Sequence, residues 1–183
     1  MTDQLAAGHG RAAITSSDGP RRSDGALRDA VAVLGTYLVL GVICGLAWWL
    51  LVEPAMFTKV KSGGSMGELE LASRFDGDAW FAVIAALAGP LSGGVISWWR
   101  SRDLLLTTGL LLVGAGIAAT AMTLTGLLLG PGDPDAALAA AKVGEQVGVQ
   151  LEVTARAAYL VWPISTLIGG LMVLWSPSRE SLG

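Results

Sequence analysis

Leu104–Leu129 reads LLLTTGLLLVGAGIAATAMTLTGLLL and holds no Asp, Glu, Lys, Arg or His. A helix of about 20 apolar residues is long enough to cross the roughly 30 Å hydrocarbon core of a bilayer, and this stretch exceeds that length. It is apolar on every side rather than along one stripe, the pattern of a helix surrounded by lipid or protein rather than water. Ala30–Val52, Ala79–Trp99 and Ala157–Trp175 share the pattern, and none of them contains an ionisable side chain.

The chain has 183 residues, 52% hydrophobic and only 15% charged, whereas a soluble chain carries roughly 25% charged residues. Four such runs in so short a chain leave too little polar surface to coat a soluble core. The expected fold class is an all-α membrane bundle of four transmembrane helices, with spans at about 30–52, 79–99, 104–129 and 157–175. Residues 1–28, rich in Gly, Ser and charge, are expected to form a disordered cytoplasmic tail, and 178–183 a second one. Arg21-Arg22 suggests a twin-arginine leader. Ser23-Asp24-Gly25 follows it, however, and the apolar run closes on Trp48-Trp49-Leu50-Leu51-Val52 with no small-x-small site, so an uncleaved anchor is expected. Cys44 is the sole cysteine, which excludes an intrachain disulfide.

Seven of the twelve basic residues fall in the two tails and the short link Arg100-Ser101-Arg102-Asp103. Nine of the fifteen acidic residues fall in the two longer loops, 53–78 and 130–156. Short arginine-bearing loops stay inside, so both termini are expected to be cytoplasmic and the chain to be a multi-pass protein of a bacterial plasma membrane. Trp48, Trp49, Trp80, Trp98, Trp99 and Trp175 stand at the span boundaries, where an aromatic belt places its rings at headgroup depth.

The outer loops carry β patterning. Phe57-Thr58-Lys59-Val60-Lys61 and Glu68-Leu69-Glu70-Leu71-Ala72 alternate on either side of Ser62-Gly63-Gly64-Ser65, which reads as a hairpin. Val147, Val149, Leu151 and Val153 alternate with Gly148, Gln150, Glu152 and Thr154 and supply a third strand. A small extracytoplasmic β cap built from the two outer loops is expected, since a lone hairpin is marginal and a third strand supports it. Asp133-Pro134 reads as the N-cap and first position of a short helix over 136–143, which Gly144 ends.

Lipid tails are as apolar as leucine, so close backbone approach, rather than apolar burial, joins such helices. Small residues four apart mark the helix-packing candidates: Gly41 and Gly45, Gly89 and Gly93, Ala115 and Ala119, Ser165 and Gly169. Pro90 and Pro163 interrupt spans two and four and are expected to shape those helices.

The spans hold hydroxyls but no charge, and most of those hydroxyls are able to bond a carbonyl one turn back. Proton relays and ion-coupled carriers keep ionisable groups inside the membrane. The polar candidates therefore lie on the outer face: Arg74, Asp76, Asp78, Glu152 and Arg156. Asp76 and Asp78 are two carboxylates where calcium needs about six or more oxygens, so Arg74-Phe75-Asp76-Gly77-Asp78 reads as a solvated turn capping the next helix. Glu152 and Arg156 are four apart, and an exposed pair there contributes about 0–1 kcal/mol. There is no Cys/His pair, HExxH helix, phosphate loop or metal-spaced cluster, so neither an enzyme nor a cofactor or metal is expected. No basic domain surface offers itself to nucleic acid.

One resemblance accompanies these features. Val52-Glu53-Pro54 opens the outer loop, and Phe75-Asp76-Gly77-Asp78 leads into Trp80-Phe81. Trp98-Trp99-Arg100 closes span two, Leu128-Leu129-Gly130-Pro131 closes span three, and Leu160-Val161-Trp162-Pro163 lies in span four. Over about Ala30–Pro177 the chain resembles an uncharacterised actinobacterial family of four-span membrane proteins, classed as a domain of unknown function, which implies no catalytic residues. The expected role is a non-enzymatic envelope subunit, scaffold or accessory protein. Its expected partners are the lipid bilayer and a membrane protein, or a second copy bound through the Gly-rich faces. The alternative is a transporter or permease subunit acting as an oligomer.

Overall fold

The computed structural model describes residues 20–61, 63–65, 67–100 and 103–176. Their order is α1 (Pro20–Leu51), β1 (Met56–Val60), β2 (Gly63–Ser65), α2 (Glu68–Trp99), α3 (Leu104–Leu129), α4 (Pro134–Ala140), β3 (Gln146–Gly148) and α5 (Ala158–Trp175). Among them are four helices long and apolar enough to cross a membrane.

Two helices start earlier than the apolar windows do. α1 begins at Pro20, within the segment expected to be a disordered tail; the remainder of that tail and residues 177–183 lie outside the described residues. Pro suits a first helical turn, where its missing N–H has no partner to lose. α2 begins at Glu68, so Glu68-Leu69-Glu70-Leu71-Ala72 is helix and not the second strand of a hairpin. Glu, Leu and Ala are strong helix formers, and acids at a helix start oppose its positive end. Five residues of alternation do not outweigh that.

The cap is real but built differently. The sheet runs β2-β1-β3, antiparallel throughout, and its second strand comes from the Gly/Ser stretch expected to be the turn. Met56 pairs with Gly148 and Thr58 with Gln146. Beyond Gly148 the chain leaves the ladder, yet its period of two persists: Val149, Leu151 and Val153 are buried while Glu152 and Thr154 are exposed. This extended segment lies over the helix ends and is tied down by Val149 N–H donating to Ala55 O at 2.7 Å. α4 begins as its sequence indicates, with Asp133 Oδ1 accepting from Asp135 N–H and Pro134 in the first turn. Gly144, at φ 92°, turns the chain toward β3. Lys59 of β1 holds α4 from beneath, its Nζ donating to Leu138 O at 2.7 Å.

The long helices pack as two close pairs, α1 with α3 and α2 with α5, while α3 also touches α5. A Cβ placed on Gly41 would lie 2.5 Å from Ala118 O, and one on Gly45 would lie 2.6 Å from Thr125 Cβ. Reciprocally, Gly114 of α3 receives the Tyr37 ring and Gly126 receives the Trp48 ring. The matches 37/114, 41/118, 45/122 and 48/126 ascend together, so α1 and α3 run parallel. In the second pair Gly89 faces Ser165, Gly93 faces Thr166, Gly94 faces Gly169 and Ser97 faces Gly170, again ascending together, with Gly169 also packed on Pro90. Each close pair thus joins helices that are not consecutive in the chain.

Candidate functional site

At the cap end, α2 and the segment entering α5 meet on one side chain. Asp78 lies one helical turn beyond Arg74, inside α2, and is only 9% exposed. Its Oδ1 accepts from Thr154 N–H and its Oδ2 from Ala155 N–H, each at 2.9 Å. These donors stand just before α5, whose N-cap is Ala157 with no side-chain cap. A carboxylate from one helix therefore satisfies backbone donors at the start of another and faces the positive end of its dipole. This corrects the reading of Arg74–Asp78 as a solvated turn: the segment is already helical, and Asp78 serves α5 rather than its own helix.

A second tie crosses beside it. Trp48 Nε1–H donates to Gly77 O at 2.8 Å, and the indole meets Phe81 edge-on at a centroid distance of 5.4 Å. Trp48 is fully buried, so it is a packed anchor and not a belt residue. A span-end indole leaves the belt when a glycine opposite, here Gly126, opens a socket deep enough to take it. Trp49, Trp80, Trp98, Trp99 and Trp175 are exposed.

The other outer candidates do not converge. Asp76 is exposed; Glu152 and Arg156 are exposed and form no ion pair with each other. Arg74 lies in α2, and its side chain is outside the described residues. Among the described residues no three His, Cys, Asp or Glu side chains gather as a metal site.

Inside the bundle, hydroxyls mostly bond locally. Thr36, Thr108, Thr120, Thr123 and Thr125 each donate to the carbonyl four residues back, at 2.8–3.0 Å. Ser92 donates to Ala88 O and Gly89 O. Ser165 reaches across to Ala85 O at 3.0 Å and so stitches α5 to α2. The exceptions are Tyr37 Oη, Thr166 Oγ1 and Trp162 Nε1, which are buried without a hydrogen-bond partner among the described residues. The Tyr37 hydroxyl lies beside Ser92 and Thr166 without bonding geometry to either.

The eight packing candidates all lie in the long helices. The four glycines of α1 and α2 sit at the two pair contacts, as do Ser165 and Gly169. Ala115 and Ala119 are buried in the core, but Gly41 and Gly45 meet Ala118, Ala121, Met122 and Thr125. The sequence reading missed Gly114 and Gly126 as packing positions: aromatics at 37 and 48 face glycines at 114 and 126, the two aromatics and the two glycines each being separated by about three helical turns.

At the opposite end, Arg100 ends α2 and pairs with Asp29 of α1, Nη1 to Oδ2 at 3.4 Å. Thr107 Oγ1 donates to Arg100 O and closes the turn into α3. Ser101 and Arg102 of the link lie outside the described residues.

No family model, curated protein or solved structure matches the chain.

Proposed function

We propose that the chain is a multi-pass protein of the bacterial plasma membrane, with the cap outside and both termini cytoplasmic, and that it serves as a non-enzymatic envelope subunit or scaffold. Its partners would be lipid and a second membrane protein or a second copy. One observation carries this reading: the buried carboxylate among the described residues, Asp78, is spent on two backbone N–H groups at the cap, and the helix hydroxyls are mostly spent on nearby carbonyls. Moving protons or charged cargo calls for ionisable groups along a path through the helices. Here the matching depth is occupied by glycine contacts and fully buried Tyr37, Trp162 and Met122. Pro90 offers little support for a gated transporter, because its backbone is packed closely against Gly169.

The test is photo-crosslinking in native membranes from a probe at exposed Glu152, followed by mass spectrometry of the adduct. A specific membrane-protein adduct is expected. Solute flux through liposomes holding the purified protein alone would overturn the reading in favour of transport.

A further inference from the structure

α2 and α3 are joined by a short link yet hardly touch, because α2 is committed to α5 and α3 to α1. That leaves a groove of about 460 Å³ between α3 and α5, lined by Leu104, Leu111, Leu167, Leu171 and Leu174, with Arg100 at its linker end. From Leu104 to Leu111 the groove runs along the helix for about 10 Å. Gly170 forms part of its floor, where a Cβ would lie 3.3 Å from Leu111 Cδ1. Two of its three wall hydroxyls are already used, Thr107 donating to Arg100 O and Thr108 to Leu104 O, and the third, Ser97, is buried against Gly170. What remains is an apolar slot ending in a cation, which suits a hydrocarbon chain with an anionic head better than a polar solute.

Arg100 is only 19% exposed, whereas its partner Asp29 is 62% exposed and meets it through a single oxygen at 3.4 Å. A carboxylate that open to water neutralises a half-buried guanidinium weakly. The guanidinium has five donors in a planar fork that matches phosphate. Trp99 and Trp175 are 84% and 82% exposed at the same end, the placement that headgroup depth favours.

We propose that this groove seats one acyl chain of an anionic glycerophospholipid of the inner leaflet, with the lipid phosphate on Arg100 and Asp29 competing for the same guanidinium. The proposal rests on the membrane reading above. The probe is an equimolar mixture of phosphatidylglycerol and phosphatidylcholine added to the full chain in mild detergent, with bound lipid counted by native mass spectrometry. Phosphatidylglycerol is expected to be retained preferentially. Arg100→Gln is expected to cut that preference about fivefold, the effect of one basic contact to an anionic lipid, and Asp29→Asn to raise it. Thermal melting checks that both variants fold before their lipid retention is compared. Equal retention of the two lipids by the parent protein, or an unchanged preference in folded Arg100→Gln, overturns the site. So does loss of phosphatidylglycerol to millimolar inorganic phosphate, which would indicate a free-anion site instead. Carbonate extraction separates the two readings: a chain released from membranes sinks the membrane reading itself, whereas a retained chain without lipid preference sinks only the groove.

Discussion

Replacing Asp78 by Ala removes the acceptor of two backbone N–H groups, Thr154 and Ala155, at the entry to α5. Hydrogen bonds to a charged group contribute about 1.5–3 kcal/mol each, and the carboxylate adds about 0.3–1 kcal/mol against the helix dipole. Thr154 and Ala155 are themselves exposed, so water recovers part of the loss in the variant. A net cost of about 2–4 kcal/mol follows. For a chain of this size 1 kcal/mol shifts the melting temperature by about 2–4 °C, so Asp78→Ala should melt roughly 5–15 °C below the parent. Asp78→Asn keeps one acceptor oxygen but sets an amide N–H₂ against a backbone donor, so it should recover little. The assay is tryptophan fluorescence during heating in detergent, with Asp76→Ala as the control, since Asp76 is exposed two residues away. Equal melting of the Asp76→Ala and Asp78→Ala variants would refute the latch.

The glycine contacts make a paired prediction. Gly93→Ala pushes a methyl into the Thr166 backbone and should cost about 1–3 kcal/mol, while Gly116→Ala, with nothing within 4 Å, should be neutral or stabilise by up to about 1 kcal/mol in the same melting assay. Tyr37→Phe deletes a buried hydroxyl that has no partner, so the variant should melt at or above the parent; a clear loss would show that the hydroxyl is bonded after all. Trp48→Phe loses the bond to Gly77 O and part of the ring that fills the Gly126 socket, and should cost about 2–4 kcal/mol by denaturant titration in micelles.

The four long helices were legible because composition alone settles them: uncharged runs of that length have few other uses. The start of α2 was not, because Glu68–Ala72 satisfies a period of two and good helix propensity at once, and only the continuation into Ala79–Trp99 decides between them. The alternation of Val147–Val153 correctly identified a one-sided extended segment, but its faces are set by packing on helix ends and only its first residues by strand pairing. Asp78 was singled out for the wrong chemistry. Its partners are backbone donors 76 and 77 residues away, which no local pattern encodes. The glycine faces of α1 and α2 were visible as spacing, but which helix each would meet depends on matching them against positions such as Ala118 and Thr166 that lie more than seventy residues along the chain.

That matching has a cost during synthesis. α1 leaves the ribosome first, yet the helix it packs against is α3, and α2 must wait for α5. The chain therefore cannot mature one hairpin at a time. Its first two helices emerge with glycine notches open, and truncation anywhere before α5 would strand α2 with an unfilled face, the kind of orphan surface that quality-control machinery recognises.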